Sequence, residues 1–519
     1  LTTSSMEAYT HYLRGVDALE KLYYGEAVRD FTKALEIDST FAIASLFLGR
    51  AHAGAFNFSE ARRSYSTALH HAAKATERER LYINAQYAVA VESNRAEGIR
   101  IYRELLEKYP REKYAWNSLG VQYGSVGEFR EAIGCQERAL ELDPAYGLAL
   151  NNLAYTYLYL ENYEKAIEVF RRYSALYPHD ANPYDSTGET YFAMGRLDEA
   201  TRMYKEAFAR KPMLGSAIML SYLCGMRGDY REAVSWIERD MQVEMLSGQL
   251  VVDYCWRAAY HACLGEFDRA ARDTRTAFMI ADSTGNTGMM GTARQIEGAA
   301  LVEWGRLDDA RGLFQERYSV PGLDLKKNPF AGAYREFYRG FLDVAASDLR
   351  SARQAAERLE ALLPAIRPDS QADGVRAANW LALLNAEILL AEGRPNDAIR
   401  CIASDFKLRV PASSPELYYS NAPFTQDVLA RAYAAKGDLD KAISEYKKLL
   451  TFDPVSKDRR LKNPRYEYRL AKLLEKQGSS AEALEHYSKF LEYWKDADSD
   501  LPELIDAKAR AAALGSSRG

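Results

Sequence analysis

Pro110, Pro144, Pro178 and Pro212 follow one another at intervals of 34 residues. A period of that length is the mark of a repeat architecture, one supersecondary unit stacked on the next. This matters because 519 residues are too many for one compact core. An array escapes that limit by growing in one direction, with each repeat burying its apolar face on its neighbours.

The residues inside each period show what the unit is. Counting from Lys113 as position 1, Trp116, Leu119, Gly120, Tyr123, Ala132, Ala139 and Pro144 fall on positions 4, 7, 8, 11, 20, 27 and 32. The next period places Leu150, Leu153, Ala154, Tyr157, Ala166, Phe170 and Pro178 in the same register, and the one after it Tyr184, Gly188, Tyr191, Ala200, Tyr204, Ala207 and Pro212. Small residues at 8, 20 and 27 let two antiparallel helices approach closely. Aromatic residues at 4, 11 and 24 lie at helical spacings and fill the gap between those helices. A glycine five residues before the position-20 alanine ends the first helix, where a left-handed residue is needed. The proline ends the second. This pattern resembles the tetratricopeptide repeat (TPR) family, and the resemblance implies an all-α, α-α superhelix.

The Gly-x4-Ala spacing recurs at Gly127, Gly195, Gly228, Gly265, Gly305, Gly393, Gly437 and Gly478. With the units near 8–41, 42–75, 79–112 and 147–180, twelve repeats are recognisable, and a degenerate pair over 334–363 would make a thirteenth. Four regions are expected: a regular array over 1–213, more widely spaced repeats over 214–324, an irregular joint or degenerate repeat over 325–378, and C-terminal repeats with a capping helix over 379–519. "SVPGLDLKKNPF" (319–330) reads as a turn-rich connector, and "DFKLRVPASSPELYYSNAPF" (405–424) as an insertion.

Chemistry-bearing motifs are missing. There is no phosphate-cradling glycine loop, no H-E-x-x-H, no G-x-S-x-G and no kinase element. Five scattered cysteines form no C-x-x-C pair, and Cys255, His261 and Cys263 spread over different faces of a helix. His70 and His71 read as solvated residues in a connector. The expectation is therefore no enzyme, no cofactor and no metal within these residues. The balance of 68 basic and 73 acidic residues, net −5, offers no general surface for nucleic acid. No run of 18 apolar residues or signal peptide is visible, so no membrane insertion is expected.

What remains is a partner. In TPR proteins the first helix of each repeat lines a concave groove, with positions 2, 5, 9, 12 and 13 facing it. Carried onto this chain, the resemblance implies a lining that includes Asn84, Tyr87, Tyr114, Asn117, Asn151, Asn152, Tyr155, Tyr159, Asp185 and Glu189. Asn117, Asn151 and Asp185 share position 5 in three successive repeats. The column loosely resembles the asparagine ladder of O-GlcNAc transferases, and each amide offers a donor and an acceptor to an extended peptide. The same side chains could instead bond to neighbouring helices, and both readings stand at this point. The carboxylate clamp of chaperone co-factors needs Lys and Asn at positions 5 and 9, a pair no unit here has.

"LTTSSMEAYTHYLRG" (1–15) places Thr3, Ser4 or Ser5 as N-cap of a helix beginning near Met6. It also resembles the join before the TPR array of bacterial multidomain signalling proteins: eukaryote-like serine/threonine kinases, class III cyclases and winged-helix regulators. With Leu1 rather than Met at the start, the expectation is a fragment: the sensing or scaffold arm of a cytoplasmic signalling protein. The periplasm is the alternative if a membrane span precedes it. The rival readings are an autonomous assembly scaffold and a small-molecule sensor with its ligand around 319–424.

Overall fold

The reversal inside each repeat explains the architecture. In the computed structural model, all eight Gly-x4-Ala glycines adopt φ between 72° and 91°, the left-handed conformation a glycine reaches without steric cost. Five other residues take φ between 55° and 62°: Leu22, Phe56, Ser93, Glu161 and Ser347. Each stands five positions before a small residue, namely Ala27, Ala61, Gly98, Ala166 and Ala352, so it occupies the glycine's place in its own repeat. The hydrogen bonds are the same in both cases. Glu128 N donates to Tyr123 O at 3.0 Å after Gly127, and Asn162 N donates to Tyr157 O at 2.9 Å after Glu161. The turn is therefore imposed by the packing of the two helices, and glycine merely lowers its cost.

The structure describes residues 3–212, 214–243, 246–318, 328–366, 371–405, 426–452 and 460–516. They contain 27 α-helices, and none is long and apolar enough to cross a membrane. The first twelve are α1 (Met6–Glu20), α2 (Tyr24–Ile37), α3 (Ala42–Gly54), α4 (Phe58–His71), α5 (Glu77–Ala90), α6 (Arg95–Lys108), α7 (Lys113–Ser125), α8 (Phe129–Leu142), α9 (Gly147–Tyr159), α10 (Tyr163–Leu176), α11 (Asn182–Ala193) and α12 (Leu197–Arg210). Then come α13 (Leu214–Arg227), α14 (Tyr230–Asp240), α15 (Ser247–Cys263), α16 (Phe267–Ser283), α17 (Thr287–Trp304), α18 (Leu307–Tyr318), α19 (Pro329–Ala345), α20 (Leu349–Leu362), α21 (Gln371–Ala391) and α22 (Pro395–Asp405). The last are α23 (Val428–Lys436), α24 (Leu439–Leu450), α25 (Arg465–Gln477), α26 (Ser480–Tyr493) and α27 (Pro502–Ser516). Among the described residues the fold is all-α, built of antiparallel helix pairs stacked in sequence.

Two compact units divide the chain. The first comprises Leu1–Ala217, Arg239–Leu250 and Ala281–Gly288; the second comprises Ile218–Glu238, Val251–Ile280 and Met289–Gly519. In the first, α1 to α12 pack pair by pair, each pair against the next. Position 8 has to be small because the aromatic residue of the second helix sits over it: a Cβ on Gly49 would lie 2.8 Å from the Tyr65 ring. Ser5 caps α1, its hydroxyl accepting from Ala8 N at 3.2 Å. The turn between α1 and α2 is held by residues far along the chain. Tyr114 OH donates to Glu20 at 3.1 Å, Ala181 N donates to Tyr23 OH at 3.4 Å, and the Lys211 amino group lies 3.7 Å from the Tyr23 ring centre while pairing with Glu26. The next turn is held likewise: Gly248 N donates to Asn57 at 2.8 Å and Asn286 donates to Phe56 O at 2.7 Å.

In the second unit, α19 and α20 form a helix pair over the segment read from sequence as a joint, and α21 to α27 continue the stacking. The C-terminal elements return onto earlier ones. Trp494 donates its indole N–H to Cys263 O at 3.0 Å, and Arg231 pairs with Asp496 at 2.9 Å. Arg465 pairs with Glu303 and Glu503 beneath the rings of Phe267 and Trp494. One sequence expectation changes. His70 and His71 belong to the last turn of α4, not to a connector, with their rings 4.8 Å apart. His261 spends its Nδ1 on Glu266 at 2.7 Å. The connector over 319–327 and the insertion over 406–425 lie outside the described residues.

Candidate partner-binding groove

The expected lining residues lie on the first helices of the repeats in the first unit, α5, α7, α9 and α11. They fall into two groups. The carboxamides turn inward. Asn117 is 2% exposed, and its Oδ1 accepts from Asn152 Nδ2 at 2.9 Å. Asn151, 6% exposed, accepts from Ser186 Oγ at 3.0 Å and from Asn182 Nδ2 at 3.5 Å. Position 5 of one repeat thus accepts a hydrogen bond from position 6 of the next, and the column staples successive helices. One repeat earlier, Ser118 at position 6 meets position 4 of the preceding repeat instead, its Oγ 3.1 Å from Tyr82 OH. Buried polar groups need such partners, because an unmet one forfeits its hydration without recompense. Of the two readings open from sequence, the geometry favours inter-helix bonding for Asn117 and Asn151.

Tyr114 is also engaged, edge-on to Phe47 and to Tyr146 at 6.0 and 5.4 Å between ring centres. Accessible groups remain. Tyr159 is 58% exposed, stacked on Phe129 at 6.4 Å and beside Tyr155 at 6.3 Å. Asn84 and Tyr87 are half-buried on α5. Asp185 and Glu189, one turn apart on α11, are half-buried and have no cation among the groups that act on them. Ser216 Oγ donates to Asp185 at 2.5 Å, and Tyr155 OH donates to Glu189 at 2.5 Å. Desolvation pushes Asp185 up to about 6 and Glu189 up to about 8.

Sequence reasoning missed one lining residue, Arg50. It directly follows Gly49, as Val121 follows Gly120 and Glu189 follows Gly188, so position 9 reads Val16, Arg50, Tyr87, Val121, Tyr155, Glu189 along the first unit. The register that located Glu189 also locates Arg50, once it is extended back to the second repeat. In the second unit, a recess of about 650 Å³ is floored by Met226, Leu450 and Phe452 and rimmed by Lys447, Lys448 and Lys462. Lys447 and Lys448 already pair with Glu482 and Glu445 at 2.7 Å each, so much of that rim charge is spent.

Tetratricopeptide repeat models match residues 114–146, 147–212 and 427–456. These segments are tetratricopeptide repeats. Beyond them, 210 residues are 26% identical to the human cell division cycle protein 16 homolog, covering 38% of this chain and 33% of that protein. Protein FlbA of Caulobacter vibrioides is 24% identical over 228 residues, covering 43% of this chain and 37% of FlbA. The chain spans about a third of the length of these relatives. Among solved structures, the Cut9–Hcn1 hetero-tetramer of APC/C is similar over 98% of this chain and 96% of that one, at 13% identity and TM-score 0.36. A crystal structure of MamA covers 30% of this chain and 91% of its own, at 22% identity and TM-score 0.26.

Proposed function

We propose that this chain is a protein-interaction scaffold, and that the first unit holds an extended peptide of a protein partner along its concave face. The observation that carries the reading is the exposed Tyr159, stacked among the half-buried Phe129 and Tyr155, beside an acid pair with no cation paired to it among the described residues. Exposed tyrosines give large contact area at low entropic cost, and half-desolvated acids reward a ligand that neutralises them. Two relatives, the human cell division cycle protein 16 homolog and anaphase-promoting complex subunit 3 of Schizosaccharomyces pombe, carry names of cell-cycle components, the latter a subunit of an assembly. They support an assembly role. Within this reading, Asn117 and Asn151 build the groove wall, while Asn84, Tyr87, Tyr155, Tyr159, Asp185 and Glu189 meet the partner. The placement of the chain as an arm of a larger bacterial cytoplasmic signalling protein is likewise our proposal, resting on residues 1–15.

The test is selection of peptides from a randomised library on wild-type protein, followed by rebinding to Tyr159→Ala. Affinity should fall about tenfold, as for loss of an interface aromatic, with the circular dichroism spectrum unchanged. Equal binding to both proteins would sink the groove reading.

A further inference from the structure

Beyond the buried Val16, the position-9 column runs from a basic Arg50 to an acidic Glu189, and among the described residues neither is paired with an opposite charge. Arg50, on α3, is half-buried. Its Nη1 donates to Tyr82 OH at 3.2 Å, and its guanidinium carbon lies 5.2 Å from the centre of the Phe47 ring. The tyrosines at 146, 65 and 102, all buried, act on it as well, and so do Tyr12 and Tyr24. Among the described residues it forms no ion pair, whereas the exposed arginines Arg100, Arg138 and Arg196 each have a carboxylate. A guanidinium stays charged at any accessible pH and carries five N–H donors in a planar fork that matches a carboxylate. Here only one donor bond is made, in surroundings of aromatic rings. A charge taken out of water without a counter-ion is costly, and a carboxylate arriving from outside would relieve that cost.

The opposite end has the complementary problem. Asp185 and Glu189 are satisfied by hydroxyls alone, from Ser216 and Tyr155. Burial keeps protons on them well above the usual carboxylate range, so the empty groove lowers its own charge there. A lysine or arginine of a ligand would make the ionised forms favourable again. Between the ends, Tyr87, Val121 and Tyr155 offer no charge, which leaves that stretch tolerant of sequence.

We infer that the groove of the first unit selects an extended peptide of mixed charge, with an acidic side chain on Arg50 and a basic side chain on Asp185 and Glu189. This rests on the peptide-groove reading above and adds a polarity to it: the two charges fix how the segment lies along the repeats. The chemistry recognised is a carboxylate at one end and a cation at the other, joined by a neutral, extended stretch.

The experiment is fluorescence anisotropy with labelled synthetic peptides carrying one Asp and one Lys about four to ten residues apart in an extended, neutral segment. Both charge orders are tried, together with versions lacking either charge or bearing phosphoserine in place of Asp. One order should bind best, and removing its Asp should weaken binding about tenfold on wild type but not on Arg50→Gln. Removing its Lys should matter on wild type but not on Glu189→Gln. Arg50→Lys, which keeps the charge, should recover part of the loss. Thermal melts of each variant separate misfolding from lost recognition. If peptides need Tyr159 yet ignore Arg50→Gln, the polarity is overturned and the groove reading survives. If they ignore both, both fail. A strict need for phosphoserine would make the ligand group a phosphate and overturn the carboxylate assignment.

Discussion

Ser93 shows how much a single residue contributes to this fold. With φ at 55° it adopts a conformation that costs a non-glycine residue about 1 kcal/mol. It does so because Gly98 must meet helix α5 closely: a Cβ there would lie 2.3 Å from Val89. The side chain of Ser93 is exposed, so replacing it removes strain without removing packing. Ser93→Gly should raise the stability of the first unit by up to about 1 kcal/mol, less the added freedom of glycine in the unfolded chain. The urea midpoint of that unit reads the effect, and a downward shift would refute the strain argument. The same reasoning explains why Gly-x4-Ala located eight reversals and overlooked five. The conformation is universal, whereas glycine is merely its easiest occupant.

Between elements, the carboxamide column acts as a register device. Asn151 accepts from Ser186 and Asn182, both on α11 and both buried, so it ties α9 to the next repeat. Asn151→Ala leaves two buried donors short of an acceptor, which should cost about 1–3 kcal/mol. Asn84→Ala, at a half-exposed site on α5, should stay within about 0.5 kcal/mol. Chemical denaturation of the two variants side by side makes the comparison, and equal losses would show that the staple contributes nothing. Sequence pattern placed Asn117 and Asn151 at the same position of successive repeats, since position within a repeat follows from helical period. It left their partners open, because a position-5 to position-6 bond spans 35 residues. Whether it forms depends on the small rotation between one repeat and the next.

For each unit as a whole, the decisive contacts join residues more than 150 positions apart. Arg465 is the clearest case in the second unit. It is 5% exposed and joins α25 to Glu303 on α17 and to Glu503 on α27. Arg465→Leu would leave Glu303 buried without its counter-ion, at a cost of about 3–5 kcal/mol. Lys489→Ala, in a surface pair with Glu485, should cost less than about 1 kcal/mol. Differential scanning calorimetry should show a lowered transition for the first variant and none for the second. An unchanged transition in Arg465→Leu would mean that these returning contacts add no stability.

The sequence by itself determined the period, the helix pair, the eight reversals that carry a glycine and the small residues under the aromatic rings. All of these are interactions within about 34 residues, where helical spacing and residue size are sufficient. Tertiary structure alone decided which groove residues stay available. Asn117 and Tyr159 were equal candidates in the pattern, yet one is sealed between repeats and the other projects outward. It also decided that Arg50 stands among tyrosines without a carboxylate. The reason is physical: local period encodes packing inside a repeat, whereas the accumulated rotation from repeat to repeat sets which distant side chains meet.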